Sequence, residues 1–268
     1  MTKFAITLLR RPREPELLAS TCSYKIKGFI ETSFIDWPGR LTAVLFLPGC
    51  NFRCPYCHNA DLVLGGHGLP TWHLSSILER LKQLRGWVDG VCISGGEPTL
   101  QSYLPEIFAL LKNQGLKTKL DTNGSNPEML EGLMDEGLVD YVAMDVKAPL
   151  NRFAYAQCTG VIPRLENIRK SIHILMKGNI PYQLRTTILP RLHSIEDILR
   201  LAEQLRGAMD YKLQNFNPGR TLDRSFQDES PYDYTTFCEL QRRSQNIVSL
   251  SGLPLAVAGR GLEVRLQA

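Results

Sequence analysis

Hydrophobic positions along the chain follow two spacings that take turns. Short, nearly continuous apolar runs predict buried strands, whereas apolar residues three and four positions apart predict helices. The predicted strands are residues 42–47, 91–94, 117–120, 141–144, 182–188 and 211–216. The predicted helices are residues 74–84, 104–111, 127–134, 165–176, 195–205 and 232–248. This alternation predicts an α/β fold, a partial (β/α)6 TIM-like barrel with parallel strands and helices outside.

Residues at the ends of several predicted helices support these limits. Pro127 suits the first helical turn, and Ser194 is a good N-cap residue. Gly115 and Gly137 follow helices and can adopt the left-handed backbone that ends them. In parallel sheets of this kind the chemistry lies at the carboxyl ends of the strands, so functional motifs are expected directly after the strands.

The composition is that of an ordinary globular protein. The chain has 268 residues, 43% of them hydrophobic and 22% charged. Its net charge of +4 resides in the first 27 residues, which hold six basic and two acidic side chains. The balanced remainder argues against nucleic-acid binding, and no apolar run is long enough for a membrane helix. We expect a basic N-terminal arm at residues 1–24, a single domain at 25–268 and a cytoplasmic location.

Three of the seven cysteines, Cys50, Cys54 and Cys57, follow the 42–47 strand with the spacing Cys-x3-Cys-x2-Cys. Three thiolates so close in sequence are typical of a metal site. One alternative is a zinc site completed by His58 or by a remote ligand, and another is a metal-binding or electron-transfer module without enzyme activity. A cubane iron–sulfur cluster normally takes four cysteines, so three would leave one iron open to a substrate or cofactor.

The other four cysteines stand apart from one another. In a reducing compartment they do not form a disulfide framework. Cys92, Cys158 and Cys238 are expected to be buried as small hydrophobic residues, and Cys22, in the arm, receives no role.

The stretch around the clustered cysteines resembles the signature of the radical S-adenosylmethionine enzymes, in which an aromatic residue, here Tyr56, precedes the third cysteine. The resemblance implies a partial (β/α)6 barrel, in agreement with the periodicity. It also implies one 4Fe–4S cluster per chain, with Cys50, Cys54 and Cys57 as ligands. S-adenosylmethionine would bind the remaining iron through its amino and carboxylate groups.

Polar motifs follow the next strands as well. After the second strand comes SGGEP, in which Gly95 and Gly96 allow a ligand to approach the backbone and Glu97 can accept hydrogen bonds from an ammonium group. On its own this motif is also compatible with an ordinary strand-to-helix turn. By resemblance, these three residues contact the amino group of the methionyl part of the cofactor.

Residues 121–124 (DTNG) and 145–147 (DVK) follow the third and fourth strands, where each could also form a turn or a helix cap. By resemblance to the glycyl-radical activating branch, Asp121, Asn123, Asp145 and Lys147 lie around the methionyl carboxylate and the ribose. The same resemblance makes Asp121, Thr122 and Asp145 a predicted monovalent cation site.

Arg185 is the only charged residue in the 182–188 strand, and a buried arginine needs an anionic partner. The cofactor carboxylate is one candidate, and a salt bridge to Asp145 or Glu97 is the alternative. In the next strand, Gln214 and Asn215 are predicted adenine contacts.

One branch of the family is indicated by two further segments. Residues 34–40 (FIDWPGR) resemble the corresponding segment in activating enzymes for anaerobic ribonucleotide reductase, and Cys57-His58-Asn59 is typical of activases. The resemblance implies reductive cleavage of S-adenosylmethionine to a 5′-deoxyadenosyl radical, which installs a glycyl radical on a partner protein, here anaerobic ribonucleotide reductase. A flavodoxin- or ferredoxin-type protein would supply the electron. The alternative is a radical enzyme acting on a small molecule, similar to 7-carboxy-7-deazaguanine synthase, because such enzymes share these motifs.

Overall fold

The computed structural model of the chain describes residues 24–249. The predicted arm up to residue 23, with Cys22, lies outside the described residues, as does the segment from residue 250 to the end. The division into an arm and one domain stays a prediction.

Strands and helices alternate through the described residues. The strands are β1 (Gly28–Ser33), β2 (Thr42–Leu47), β3 (Gly90–Gly95), β4 (Lys117–Thr122), β5 (Tyr141–Asp145), β6 (Tyr182–Ile188) and β7 (Tyr211–Asn215). The helices are α1 (Ala60–Val63), α2 (Leu74–Gln83), α3 (Leu104–Asn113), α4 (Pro127–Asp135), α5 (Arg152–Thr159), α6 (Leu165–Lys177), α7 (Ile195–Gln204) and α8 (Tyr234–Ser249). The strands form a seven-stranded, mostly parallel sheet in chain order, which confirms the predicted α/β class with parallel strands.

β1 is a strand that the apolar pattern did not reveal. It lies at the end of the strand order and is antiparallel to β2. Three of its six residues are exposed. A half-exposed edge strand needs no continuous apolar run, so its sequence carries a weak signal. α5 was also not predicted, because its buried residues, Tyr155, Cys158 and Thr159, do not form a regular apolar stripe.

The described chain forms two compact units, and the first contains residues 24–51 and 61–120. In this unit β2 is buried along nearly its whole length, with a strand on either side. Its parallel register with β3 pairs Leu47 with Gly95, so both strands end at the same level. The segments that follow β2 and β3, with Cys50 and the GGEP motif, therefore begin side by side.

The second unit contains residues 52–60 and those from 121 onward. Here β5 and β6 pair in parallel, with Asp145 opposite Arg185. Paired residues of neighbouring strands point to the same side of a sheet, so these two charges face each other. The fully buried Met144 and Leu184, one residue earlier in each strand, hold the pair in place.

Two helix ends have the capping residues predicted for them. Ser194 forms a capping box with Asp197 at the start of α7, which agrees with its prediction as an N-cap. Gly137, just after α4, has φ +65°, a left-handed conformation that glycine adopts without strain. Within residues 24–249, no helix is long and apolar enough to cross a membrane.

Candidate functional site

In the first unit, the backbone after β3 lies directly against the loop that carries Cys50. The Gly96 N–H donates to the Leu47 carbonyl at 2.9 Å, and the Glu97 N–H donates to the Gly49 carbonyl at 2.8 Å. The amide of Gln101 adds a third contact by donating to the Pro48 carbonyl at 2.8 Å. The position of the Cys50 backbone is thus set by the segment that follows β3.

This contact explains the two glycines of the GGEP motif. A Cβ at Gly96 would lie 2.0 Å from the Gly49 carbonyl oxygen, and one at Gly95 would lie 2.3 Å from the Leu47 oxygen. Gly95 also has φ +124°, which favours glycine. The sequence suggested that the glycines admit a ligand; the structure assigns them first to a close approach between two backbone segments.

Glu97 is a fully buried carboxylate. Its Oε1 accepts hydrogen bonds from the Thr99 N–H at 3.2 Å and from the Thr99 hydroxyl at 2.5 Å. It thereby caps the short 3-10 helix at Pro98–Leu100. Because Thr99 fixes its rotamer, the carboxylate is held in one orientation at the end of β3.

In the second unit, the loop with Cys54 and Cys57 is held by its backbone. The Arg53 N–H donates to the Thr159 carbonyl at 2.7 Å, and the Pro55 carbonyl accepts from the Asp223 N–H at 2.9 Å. Within the loop, the Cys57 N–H donates to the Cys54 carbonyl at 3.0 Å. The turn that separates these two cysteines is therefore closed by a hydrogen bond.

Aromatic side chains fix the same loop from both sides. Phe52 packs edge-on against Tyr155 of α5, with ring centroids 6.5 Å apart. His58 stacks on Phe216, and its Nε2 lies 2.7 Å from the Asn217 carbonyl. This nitrogen is therefore engaged with the chain that follows β7.

A chain of alternating charges runs across the ends of β4, β5 and β6. Lys147 Nζ lies 2.9 Å from Asp145 Oδ2, and Arg185 Nε lies 2.9 Å from Asp145 Oδ1. The Arg185 guanidinium also approaches Asp121 Oδ2 at 3.5 Å. Three predicted site residues thus contact Arg185 or one another, and the salt bridge to Asp145 that the sequence raised as an alternative is present.

The pKa values in this chain follow from mutual pairing. Burial alone would raise the pKa of Asp145, but the charges of Arg185 and Lys147 outweigh it and hold that pKa below its usual range. Burial would lower the pKa of Lys147, yet Asp145 raises it above its usual range. Asp145 and Lys147 are therefore both ionised at neutral pH.

The charges of Lys147 and Asp145 also affect the pKa of the Cys57 thiol. Burial raises its pKa, while a backbone hydrogen bond with Asn59 and the charge of Lys147 lower it. Lys147 is therefore a cation that favours the thiolate form at this part of the loop.

Two buried side chains that sequence reasoning missed hold the backbone of Lys147. The Lys147 N–H donates to the Tyr155 hydroxyl at 3.2 Å, and His193 Nε2 lies 2.8 Å from the Lys147 carbonyl. His193 is 1% exposed, and burial lowers its pKa, so the neutral imidazole donates from Nε2. Its Nδ1 accepts from the Leu189 N–H at 3.4 Å. No local motif predicts either residue: His193 lies 46 residues from Lys147, and Tyr155 lies on a helix, α5, that the apolar pattern did not predict.

The remaining predicted residues are engaged locally. Thr122 Oγ1 accepts from the Gly124 N–H at 3.1 Å, and Asn123 Oδ1 accepts from the Ser125 N–H at 2.9 Å. Both side chains therefore shape the turn after β4. At the end of β7, Gln214 is exposed, whereas Asn215 donates to the Tyr232 carbonyl at 2.7 Å.

The cysteines of the described residues are all free thiols. Cys92 and Cys158 are buried as predicted, and burial raises the pKa of Cys158 to about 12. Cys238 is exposed, so its predicted burial is wrong; it lies on the outer side of the amphipathic helix α8. Among residues 24–249, no three His, Cys, Asp or Glu side chains converge on a position for a single metal ion.

Residues 44–205 match the radical SAM superfamily. A protein of Methanocaldococcus jannaschii, provisionally named a glycyl-radical enzyme activating enzyme, is 35% identical over 206 residues, which cover 75% of this chain and 84% of the relative. The pyruvate formate-lyase-activating enzyme of Clostridium pasteurianum is 29% identical over 219 residues, covering 78% and 88%.

Solved structures share the fold at low identity. Streptococcus suis SuiB, bound to the precursor peptide SuiA, superimposes with a TM-score of 0.60 at 15% identity, covering 77% of this chain and 45% of that one. TYW1 with a lysine–pyruvate adduct gives a TM-score of 0.55 at 18% identity, covering 78% and 74%. These likenesses concern the α/β fold alone. The sequence matches establish that the chain belongs to the radical SAM superfamily, whose enzymes use a 4Fe–4S cluster and S-adenosylmethionine.

Proposed function

We propose that this chain is an activating enzyme that installs a glycyl radical on a partner protein. The observation that carries the proposal is the 206-residue match, at 35% identity, to a relative provisionally named as such an enzyme. The activase-type sequence Cys57-His58-Asn59 supports it independently. Within the superfamily, such enzymes differ from small-molecule enzymes in the substrate rather than in the cofactor.

The residues present fit the cluster and the nucleotide. Cys50, Cys54 and Cys57 supply three free thiols, the donor type that iron–sulfur clusters take. Among the described residues, four buried side-chain oxygens have no hydrogen-bond partner: Thr42 Oγ1, the Tyr56 hydroxyl, Asn215 Oδ1 and Ser244 Oγ. Two of them lie at predicted site segments, Tyr56 in the cysteine motif and Asn215 at the end of β7. Buried polar atoms of this kind are normally satisfied, so a bound molecule with polar groups suits them.

In this proposal the three cysteines hold the cluster, and the ends of β3 to β6 hold S-adenosylmethionine. Glu97 accepts hydrogen bonds from its amino group, beside the backbone of Gly95 and Gly96. The carboxylate and ribose lie against a set of polar residues, namely Asp121, Asn123, Asp145, Lys147 and Arg185. Lys147 and Arg185 are the cationic hydrogen-bond donors of this set, and each also pairs with Asp145. The predicted monovalent cation at Asp121, Thr122 and Asp145 stays a prediction.

When bound and reduced by one electron, the cluster and nucleotide together supply a 5′-deoxyadenosyl radical that abstracts a hydrogen atom. The contribution of the chain is to position the reacting groups and to exclude water. The fixed charges of Lys147, Asp145 and Arg185 need no reorganisation during the reaction.

For the partner we propose anaerobic ribonucleotide reductase. Support comes from residues 34–40, which resemble the segment before the first strand in the activating enzymes of that reductase. The similarity to a pyruvate formate-lyase-activating enzyme favours a second candidate, a pyruvate formate-lyase. The cytoplasmic location and the flavodoxin- or ferredoxin-type reductant stay part of the proposal.

The test is electron paramagnetic resonance of the reconstituted, oxygen-free enzyme with S-adenosylmethionine, dithionite and each candidate partner in turn. A glycine-centred doublet on the reductase would support both the function and the partner. A doublet on pyruvate formate-lyase alone would retain the activase and replace the partner. Release of 5′-deoxyadenosine with a deazapurine precursor, and a doublet on neither protein, would overturn the activase proposal in favour of a small-molecule enzyme.

A further inference from the structure

One exposed surface of the second unit lies directly outside the loop with Cys54. We call it the arginine face and define it by Arg53, Arg152, Phe153, Ile162 and Arg164. Arg53 immediately precedes Cys54, and its N–H is bonded to the Thr159 carbonyl at the end of α5. Gly160 packs so closely there that a Cβ would lie 2.3 Å from the Arg53 oxygen. The cysteine loop thus packs against the C-terminal end of α5, between the exposed residues at 152–153 and those at 162–164 along the chain.

The segments that form the arginine face contain basic residues but no acidic ones. Residues 46–60 and 146–165 contain no aspartate or glutamate. Arg53, Arg152 and Arg164 are all exposed. Within the described chain, neither Arg152 nor Arg164 forms a salt bridge with a carboxylate. Arg152 and Arg164 therefore give this surface an excess of positive charge, although the chain after residue 27 is neutral overall.

Two large apolar side chains stand among these charges. Phe153 is 74% exposed and Ile162 is 67% exposed. Phe153, Gln157 and Gly160 are spaced four and three residues apart, so they follow one face of α5 toward Arg53. Exposed apolar residues bordered by arginines are typical of a protein-binding surface, since Arg and Phe are enriched in interfaces.

The opposite face of α5 lies against the cysteine loop and the backbone of Lys147. Tyr155 is fully buried, packs on Phe52 of the cysteine loop and accepts from the Lys147 N–H. One helix therefore connects the exposed arginine face with the backbone of a predicted site residue. Because Arg53 is the residue next to Cys54, a partner on this face would lie beside the cysteine loop, and electron transfer falls steeply with distance.

From these observations, and on the basis of the proposed function, we infer that the arginine face is the docking surface for the reductant, a small acidic electron-transfer protein. On docking, one electron leaves the carrier, which is oxidised by one electron, and the cluster is reduced by one. No proton or group transfer is needed. Charge complementarity selects this occupant, because flavodoxins and ferredoxins of this kind are acidic and opposite potentials speed encounter. The glycyl-radical protein, the other possible occupant, is an outcome of the test.

The experiment uses the reconstituted enzyme and flavodoxin as the probe. The variant Arg152→Glu/Arg164→Glu reverses two charges. Arg242→Glu/Arg243→Glu on α8 is the control for charge reversal: both arginines are exposed and α8 contributes nothing to the face, although Arg242 pairs with Glu239 in the wild type. Two quantities are measured at low and high salt: the dissociation constant for oxidised flavodoxin by titration calorimetry, and the rate of cluster reduction by flavodoxin hydroquinone. A second variant, Phe153→Ser, tests the apolar centre.

We expect the double reversal to weaken flavodoxin binding about tenfold at low salt, with the loss shrinking at high salt. The α8 control should change it less than about twofold. Dithionite-driven release of 5′-deoxyadenosine should be unchanged in all variants, and this reading tests the proposed function separately. Equal flavodoxin binding and reduction in the wild type and the double reversal would overturn the inference. So would normal flavodoxin reduction with loss of glycyl-radical formation, which would assign the face to the substrate protein.

Discussion

The imidazole of His193 donates a hydrogen bond from Nε2 to the main-chain carbonyl of Lys147, at 2.8 Å, from a position 46 residues further along the chain. Its other nitrogen accepts from the Leu189 N–H. With Tyr155 on the Lys147 N–H, both backbone polar groups of Lys147 are bound to buried side chains. The ammonium group that pairs with Asp145 therefore extends from a fixed backbone.

His193→Ala should destabilise the protein by about 2–4 kcal/mol, because it leaves the Lys147 carbonyl and the Leu189 N–H buried without partners and opens a cavity. We also expect weaker binding of S-adenosylmethionine, since Lys147 is no longer held. Urea unfolding and equilibrium dialysis measure the two effects. His173→Ala, at an exposed position of α6, is the control and should change neither. Unchanged affinity in a folded His193→Ala protein would contradict the positioning role.

The same histidine should make stability depend on pH. Burial lowers its folded pKa below the unfolded value of about 6.5, so between the two values only the unfolded chain binds the proton. Stability should therefore fall as the pH drops below about 6.5. The groups facing the ring are the Lys147 carbonyl, Cys158 and, through its charge, Asp197. Urea unfolding of the wild type and of His193→Gln between about pH 8 and pH 5.5 measures this, and parallel curves would contradict it.

Gly96→Ala should prevent correct placement of the Cys50 loop. Its Cβ would meet the Gly49 carbonyl oxygen at 2.0 Å, and neither partner is a side chain that can rotate away. We expect a loss of about 3 kcal/mol or more and reduced iron content after reconstitution. Gly132→Ala is the matched control: nothing lies within 4 Å of its Cβ, and alanine favours the interior of α4. Iron analysis and thermal unfolding measure both variants, and full iron content in Gly96→Ala would refute the argument.

Asp145→Asn should cost about 2–4 kcal/mol, because it leaves the largely buried charges of Lys147 and Arg185 without their shared carboxylate. The isosteric amide keeps the volume, so packing changes little. Urea unfolding at neutral pH gives the loss. Glu128→Gln removes the carboxylate from an exposed pair with Lys170, at 3.0 Å, and should have little effect. Equal effects of the two variants would mean that the charge chain is not a stabilising unit.

Cys54→Ala should abolish the cluster, since two thiolates do not hold it. Cys92→Ala and Cys238→Ser should retain it, because one removes a buried thiol outside the motif and the other an exposed thiol on α8. The readouts are the visible absorption of the oxygen-free reconstituted protein and its iron-to-sulfide ratio. Cluster loss in Cys92→Ala, in a protein that is still folded, would mean that the ligand set is wrong.

Much of the fold could be predicted from periodicity because the buried positions of an element are occupied by apolar residues. β2 and β6 begin and end at the predicted residues, since their apolar runs coincide with their burial. β1 and α5 were missed for the same reason: β1 is half exposed, and α5 buries few residues. Likewise, the burial assigned to Cys238 was wrong, because composition does not say which side of a helix faces water.

The sequence by itself determined the cysteine spacing, the order of strands and helices, and the charged residues at the strand ends, because these are properties of local pattern. Only the tertiary structure decided why Gly95 and Gly96 are required, which charges pair with Arg185, and that His193 and Tyr155 hold Lys147. Most of these contacts join segments 40 to 64 residues apart, and several depend on the register of neighbouring strands. A linear pattern carries no record of such register, so the partners appear only once the chain is folded.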